Sequence, residues 1–168
     1  MVWVNIIALI ILCFSLLGGM KEGAVKNFFS LAIQIFAIYI AGHIYHLLAT
    51  VLSFLPGTSW ENFLGFFITM GLIMAIVHLI VLIPRKIIQK IWKRGLIFRL
   101  LGGALKVFST SIGLAVFTLA IGAFPIIDWL ARVIVNAGVL QWLVAHLGFV
   151  QAMLPEVFRN AASLMATL

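Results

Sequence analysis

The sequence predicts an all-α membrane protein, a bundle of four spanning helices followed by shorter helices at its C-terminal end. Two observations carry that prediction. Of 168 residues, 65% are hydrophobic and 9% charged, with a mean hydropathy of +1.27, against roughly 45–50% and 25% in soluble domains. A chain this size has too little interior to hide so much apolar surface from water. The apolar residues also fall into runs separated by turn residues and cations, and a spanning helix needs about 20 such residues. A soluble enzyme, a disordered tail and a disulfide scaffold are excluded on the same grounds.

The first run, 2–20, is interrupted only by Asn5 and Ser15. Lys21 and Lys26 follow it rather than precede it, the reverse of a signal peptide, so it reads as an uncleaved first span. Its Cys13 is the chain's single cysteine, which excludes an internal disulfide. The second span covers 28–55 and ends at the turn Pro56-Gly57-Thr58-Ser59. Trp60 then suits an anchor at headgroup level. The third span, 63–83, is ended by Pro84, and a basic stretch over 84–99 leads to the fourth at 100–125. Residues 1–125 thus form a membrane domain and 126–168 a separate tail. Within the tail, 133–154 is apolar enough to weigh as a fifth span, but Asn136, Gln141, His146 and Gln151 interrupt it. Such groups are costly in hydrocarbon unless packed against protein, so the expectation is interfacial or re-entrant helices on the outer face of the bundle.

The charges set the topology. Lys21, Lys26, Arg85, Lys86, Lys90, Lys93, Arg94, Arg99 and Lys106 fall on one side with Glu22. Arg132 and Arg159 fall on the other with Glu61, Asp128 and Glu156, leaving the sides at +8 and −1. The positive-inside rule then places both basic loops in the cytoplasm and both termini outside.

Pro84 to Arg99 is the segment with the clearest binding chemistry. Arg85, Lys86, Lys90, Lys93 and Arg94 recur at helical spacing with Ile87, Ile88, Ile91 and Trp92 between them. Pro84 can open such a helix and Gly95 can close it. With Arg99 these cations form a candidate docking site for anionic headgroups or an acidic partner, each contributing about 1 kcal/mol near the membrane surface. The bland alternative is an ordinary topology determinant. Four-residue pairs of small residues, Gly19 with Gly23, Ala37 with Ala41, Gly71 with Ala75 and Ser111 with Ala115, mark candidate helix contacts. They serve packing within the chain or association with membrane subunits or a second copy.

Histidines in spans can hold haem or a chlorophyll-type pigment. His43 and His46 share a helical face roughly 24 Å from the basic surface and His78 lies about 9 Å from it, too far apart to share one haem. A single-histidine pigment site is left open at His43, His46 or His78, beside the simpler reading of packing histidines; the expectation is no cofactor. His146 could approach His43 and His46 on the outer side, though without the cysteines or paired carboxylates of a metal site. The four acids fall at most one to a loop, none within a span, and no serine has a convincing His–acid partner, so no catalytic set is expected. Asp128 and Arg132 are spaced for an exposed helical ion pair.

Three segments resemble the CvpA family, the colicin V production proteins of bacterial inner membranes. They are the opening Met1-Val2-Trp3-Val4-Asn5, the turn Glu22-Gly23-Ala24-Val25-Lys26-Asn27-Phe28-Phe29-Ser30-Leu31, and Arg99-Leu100-Leu101-Gly102 leading into the fourth span. The resemblance covers roughly 1–125. The family tends to carry acids where this chain has Asn5, Asn27 and Phe98, and glycines where it has Lys106 and Thr110. What the resemblance implies is an accessory role in toxin production or envelope homeostasis, exercised by binding partners within the membrane. Two other readings stand beside it: a small oligomeric channel or transporter subunit with Asn5, Gln34, His43 and His78 lining the path, and a structural subunit of a bioenergetic complex.

Overall fold

The computed structural model describes residues 2–53, 57–91 and 95–160. Four long helices are apolar enough to cross a membrane: α1 (Val2–Glu22), α2 (Ala24–Val51), α3 (Thr58–Ile91) and α4 (Leu96–Ala123). Three short ones follow, α5 (Asp128–Val135), α6 (Gly138–His146) and α7 (Gly148–Met153), with a further helical turn at 156–160. Among the described residues there is no strand. The chain is thus all-α with four candidate spans, as its hydropathy predicts.

The spans are ordered α1, α4, α2, α3. Helix α4 packs on both α1 and α2, and α2 packs on α3, while α1 and α2 barely touch. One residue explains the splay. Gly23 alone separates α1 from α2 at φ 84°, in the left-handed region that glycine enters freely. From that corner the two helices diverge and α4 fills the angle between them. Its central place shows in its burial: half of its most apolar stretch is buried, against 17% for α1 and 11% for α3.

Helix α3 corrects one expectation. It runs unbroken through Pro84 to Ile91, so 84–91 is not a separate surface helix but an extension reaching about 12 Å beyond Ile83. A proline in a helix removes one backbone bond and crowds the preceding turn, a cost this helix tolerates. The remaining turn residues at 54–56 and Trp92, Lys93 and Arg94 lie outside the described residues, as does 161–168.

The tail forms the short helices expected of it, and they pack into the bundle. Ala131, Ile134, Ala137, Leu140, Leu143, Val144, Leu147, Val150, Leu154 and Phe158 belong to the same core cluster as Val4, Ile38, Phe66, Ala115 and Leu119. Its path is traced by contacts. Asn5 Oδ1 accepts the backbone N–H of Val139, at 3.0 Å, satisfying a free donor at the start of α6. Helix α6 then packs on α4 and α1, and Phe149 stacks on Phe108 with ring centroids 6.1 Å apart. Phe108 lies about 18 Å along α4 from Leu96, near its middle. The chain then turns back, setting Leu154 and Pro155 against Gly42 and burying Phe158 completely among Tyr45, Phe66 and Phe124. The tail thus packs into the bundle and turns back within it. Breaks at Asn136–Ala137 and Leu147 keep 133–154 from forming a fifth spanning helix.

The polar residues of the tail are accommodated by their own backbone. Asn136 Nδ2 donates to Arg132 O at 2.8 Å, Gln151 Nε2 donates to Val144 O at 2.8 Å, and His146 Nδ1 lies 2.9 Å from Trp142 O. Arg132 likewise donates to the backbone O of Asp128, at 3.3 Å, instead of forming the expected ion pair with its carboxylate.

Candidate functional site

Two places bring chemistry-bearing residues together: the junction of α1, α2 and α4 at their basic ends, and the opening between α2 and α3 on the same side.

The junction is built on close backbone approach. A Cβ at Gly19 would fall 2.5 Å from Gly102 O, and one at Gly102 would fall 2.6 Å from Gly19 O and 2.7 Å from Gly23 C. Nothing at these positions larger than hydrogen fits without moving a backbone. Into this contact α2 sends Asn27, fully buried. Its Nδ2 lies 3.0 Å from the carbonyl oxygens of Gly19, Gly23 and Gly102. Two N–H groups thus serve three acceptors, one on each of α1, the corner and α4, while Oδ1 is buried without a partner among the described residues. Above it, Glu22 pairs with Lys26 at 2.6 Å and with Lys106 at 3.5 Å. Lys106 rises from α4 against Gly19, so its aliphatic stem covers the contact and its ammonium reaches the one acid on this side.

The junction continues inward as a polar seam. Gln34 Nε2 donates to Ser109 O at 3.0 Å, and Ser109 Oγ donates to Gln34 Oε1. Ser15 and Thr110 share a 2.7 Å hydrogen bond between α1 and α4. The spacing is regular. Asn27–Gly102 and Gln34–Ser109 are both 75 residues apart, and each step along either helix is seven. That is the repeat of parallel helices packed at a shallow angle. Asn5, Asn27 and Gln34 thus bind helices together within the chain. The signal that could have found the junction was the shared seven-residue step in α2 and α4, since neither helix reveals it alone.

The small-residue pairs divide. Gly19, Ala37, Ala41, Ser111 and Ala115 are buried in helix contacts. Gly23 serves the corner and has nothing within 4 Å of an added Cβ. Gly71 and Ala75 are exposed, and a Cβ at Gly71 would also meet nothing within 4 Å, so the expected contact on α3 is absent from the chain's own packing. Instead Ala75 lines a cleft of about 450 Å³ between α2 and α3, with Ser30, Ile33, Met74, His78 and Leu79.

His43 and His46 are exposed on α2, His43 Nδ1 lying 2.8 Å from Tyr39 O with its ring against Tyr39. His146 stacks on Trp142. No three His, Cys, Asp or Glu side chains gather in metal-binding proximity among the described residues. Asn5, Gln34, His43 and His78, the groups considered for a pore, are distributed over the tail contact, the α2–α4 seam, the outside of α2 and the α2–α3 cleft. They share no path within one chain. Of the docking cations, Arg85, Lys86 and Lys90 sit on the extension of α3 and Arg99 is exposed in the first turn of α4; Lys93 and Arg94 lie outside the described residues.

A family model described as Colicin V production protein matches residues 4–148. The match takes in all four spans, α5 and α6, and so runs beyond 125, where the resemblance read from the sequence stopped. No curated protein and no solved structure matches the chain.

Proposed function

The chain belongs to the colicin V production protein family, and on that premise we propose that it is an accessory membrane protein of toxin production that works by binding other membrane proteins within the bilayer. It is a multi-pass membrane protein. In this reading it sits in a bacterial inner membrane with both termini outside, as the excess of cations at the α1–α2 corner and the α3–α4 connection supports.

The observation that carries the partner-binding reading is the contrast in burial between the central and flanking spans. Half of the most apolar stretch of α4 is buried, whereas 17% of that of α1 and 11% of that of α3 are. A chain that spends its polar groups on holding three helices together, and leaves two spans largely uncovered, is suited to sit between other membrane helices. Anionic lipids and further subunits, or a second copy, are the partners this implies.

Photo-crosslinking residues placed at Phe14 on α1 and Ile76 on α3, 71% and 57% exposed, test the reading in toxin-producing cells. The expected result is one defined membrane protein attached at either position and retained in stoichiometric amount in mild detergent. A monomer with no protein adduct at either position overturns it.

A further inference from the structure

The exposed face of α2 carries an inference that rests on the partner-binding reading and names one partner. Ala32, Phe36, Tyr39, His43, His46 and Thr50 are all exposed, Phe36 at 51% and Tyr39 at 49%. Their spacing alternates between four and three residues, the a and d pattern of a helix seam. The residues that α2 buries against its own chain, Ile33, Ala37, Ile38 and Ala41 among them, lie on the opposite side of the helix. Two polar groups on the exposed row are unspent. His43 Nδ1 lies 2.8 Å from Tyr39 O, and since a carbonyl oxygen only accepts, Nδ1 is the donor. A neutral imidazole that donates from Nδ1 keeps its lone pair on Nε2, and no described residue uses it. The Tyr39 ring lies against that imidazole, centroids 4.6 Å apart, and its hydroxyl also has no hydrogen bond to a described residue.

A donor and an acceptor thus sit side by side on one outward face. Counting about 20 residues of span from the basic end at Lys26 takes in both, so lipid rather than water meets them. Polar side chains inside a span are almost always covered or paired. Two copies of one chain share their orientation in a membrane, so their α2 helices run parallel and equal positions meet at equal depth. A two-fold pair then sets each Tyr39 hydroxyl against the second copy's His43 Nε2, twice over, and leaves neither group unpaired. A helix of another protein would need a matching donor and acceptor at that level; a second copy has them already. We propose that this face of α2 is the seam of a parallel homodimer, closed by reciprocal hydrogen bonds from the Tyr39 hydroxyl to His43 Nε2.

Single cysteines in a Cys13→Ser chain, oxidised in native membranes, test the seam. Phe36→Cys and Thr50→Cys each face their own counterpart in a parallel pair and should form disulfide-linked dimers. Ile44→Cys, 39% exposed but off the row, should not. Energy transfer between labelled chains in liposomes then tests the bonds. Tyr39→Phe keeps the ring and should weaken the dimer roughly tenfold, from the loss of two hydrogen bonds between spans. His43→Leu should match it, and the double variant should be no weaker than either, since each change breaks the same two bonds. A monomer, equal crosslinking at 36 and 44, an unchanged dimer in Tyr39→Phe, or a different protein captured at 36 overturns the proposal. Photo-crosslinks at Phe14 and Ile76 keep the two readings apart. Adducts there beside a monomeric α2 face overturn this proposal alone, and no adduct on any of the three helices overturns both.

Discussion

At the junction of α1, α2 and α4, Gly19 lies against the backbone of Gly102 and an asparagine ties three helices by their carbonyls. On α3, Gly71 and Ala75 have the same four-residue small-residue spacing and face open space. The comparison shows that a small residue in a span specifies only that something can come close. What comes close depends on a polar partner at the same depth. Asn27, Gln34 and Ser15 each find one on α4, and α4 is drawn in. Around Gly71 there is none, and a cleft lies between α2 and α3 beside Ala75. The first region is closed by its own chain; the second is not.

The comparison breaks most sharply under enlargement. Gly102→Leu drives a side chain into the backbone of Gly19 and Gly23, and should cost at least about 3 kcal/mol, read as a fall in melting temperature in detergent. Gly71→Leu should stay within about 0.5 kcal/mol of the parent. Equal effects would show that the junction is no tighter than the cleft.

Asn27→Leu tests whether the junction needs its polar hub. Losing the bonds to three carbonyls should cost about 2 kcal/mol, measured by denaturant titration, and Gly102 packing should not compensate. A smaller effect, about 1 kcal/mol, is expected for Asn5→Ala, which removes the acceptor that caps the Val139 N–H at the start of α6. Hydrogen exchange should rise at 137–140 with α1 to α4 unchanged. Smallest is Ser15→Ala, worth about 0.6 kcal/mol for one hydrogen bond between spans. Thr110→Ala should give the same value, and the double variant no more than either alone.

These regions also differ in how far the sequence reveals them. Spans and charge asymmetry follow from composition along the chain, so α1 to α4 are legible without knowing what touches what. Gly19 and the Arg99 to Gly102 segment are legible too, the latter through family resemblance. Pro84 misleads because a proline removes only one backbone bond, which α3 tolerates. The tail's short helices are legible but its depth is not, because Asn136, His146 and Gln151 look costly in hydrocarbon until their bonds to Arg132 O, Trp142 O and Val144 O are seen. Its burial further depends on Asn5, 134 residues away from Val139. The α2–α3 cleft depends on how two helices pack, and no spacing within either one encodes it.

Paired cysteines test the closed and open regions in one assay, in native membranes and with Cys13→Ser as the background. Ser15→Cys with Thr110→Cys places two thiols where oxygens now sit 2.7 Å apart, within the reach of a disulfide. Ser30→Cys with Ala75→Cys places them on opposite walls of the cleft. Rapid oxidation of the first pair and none of the second is the predicted result. A 30–75 disulfide forming as readily as 15–110 would mean that α3 closes onto α2 in the membrane, and would contradict the account.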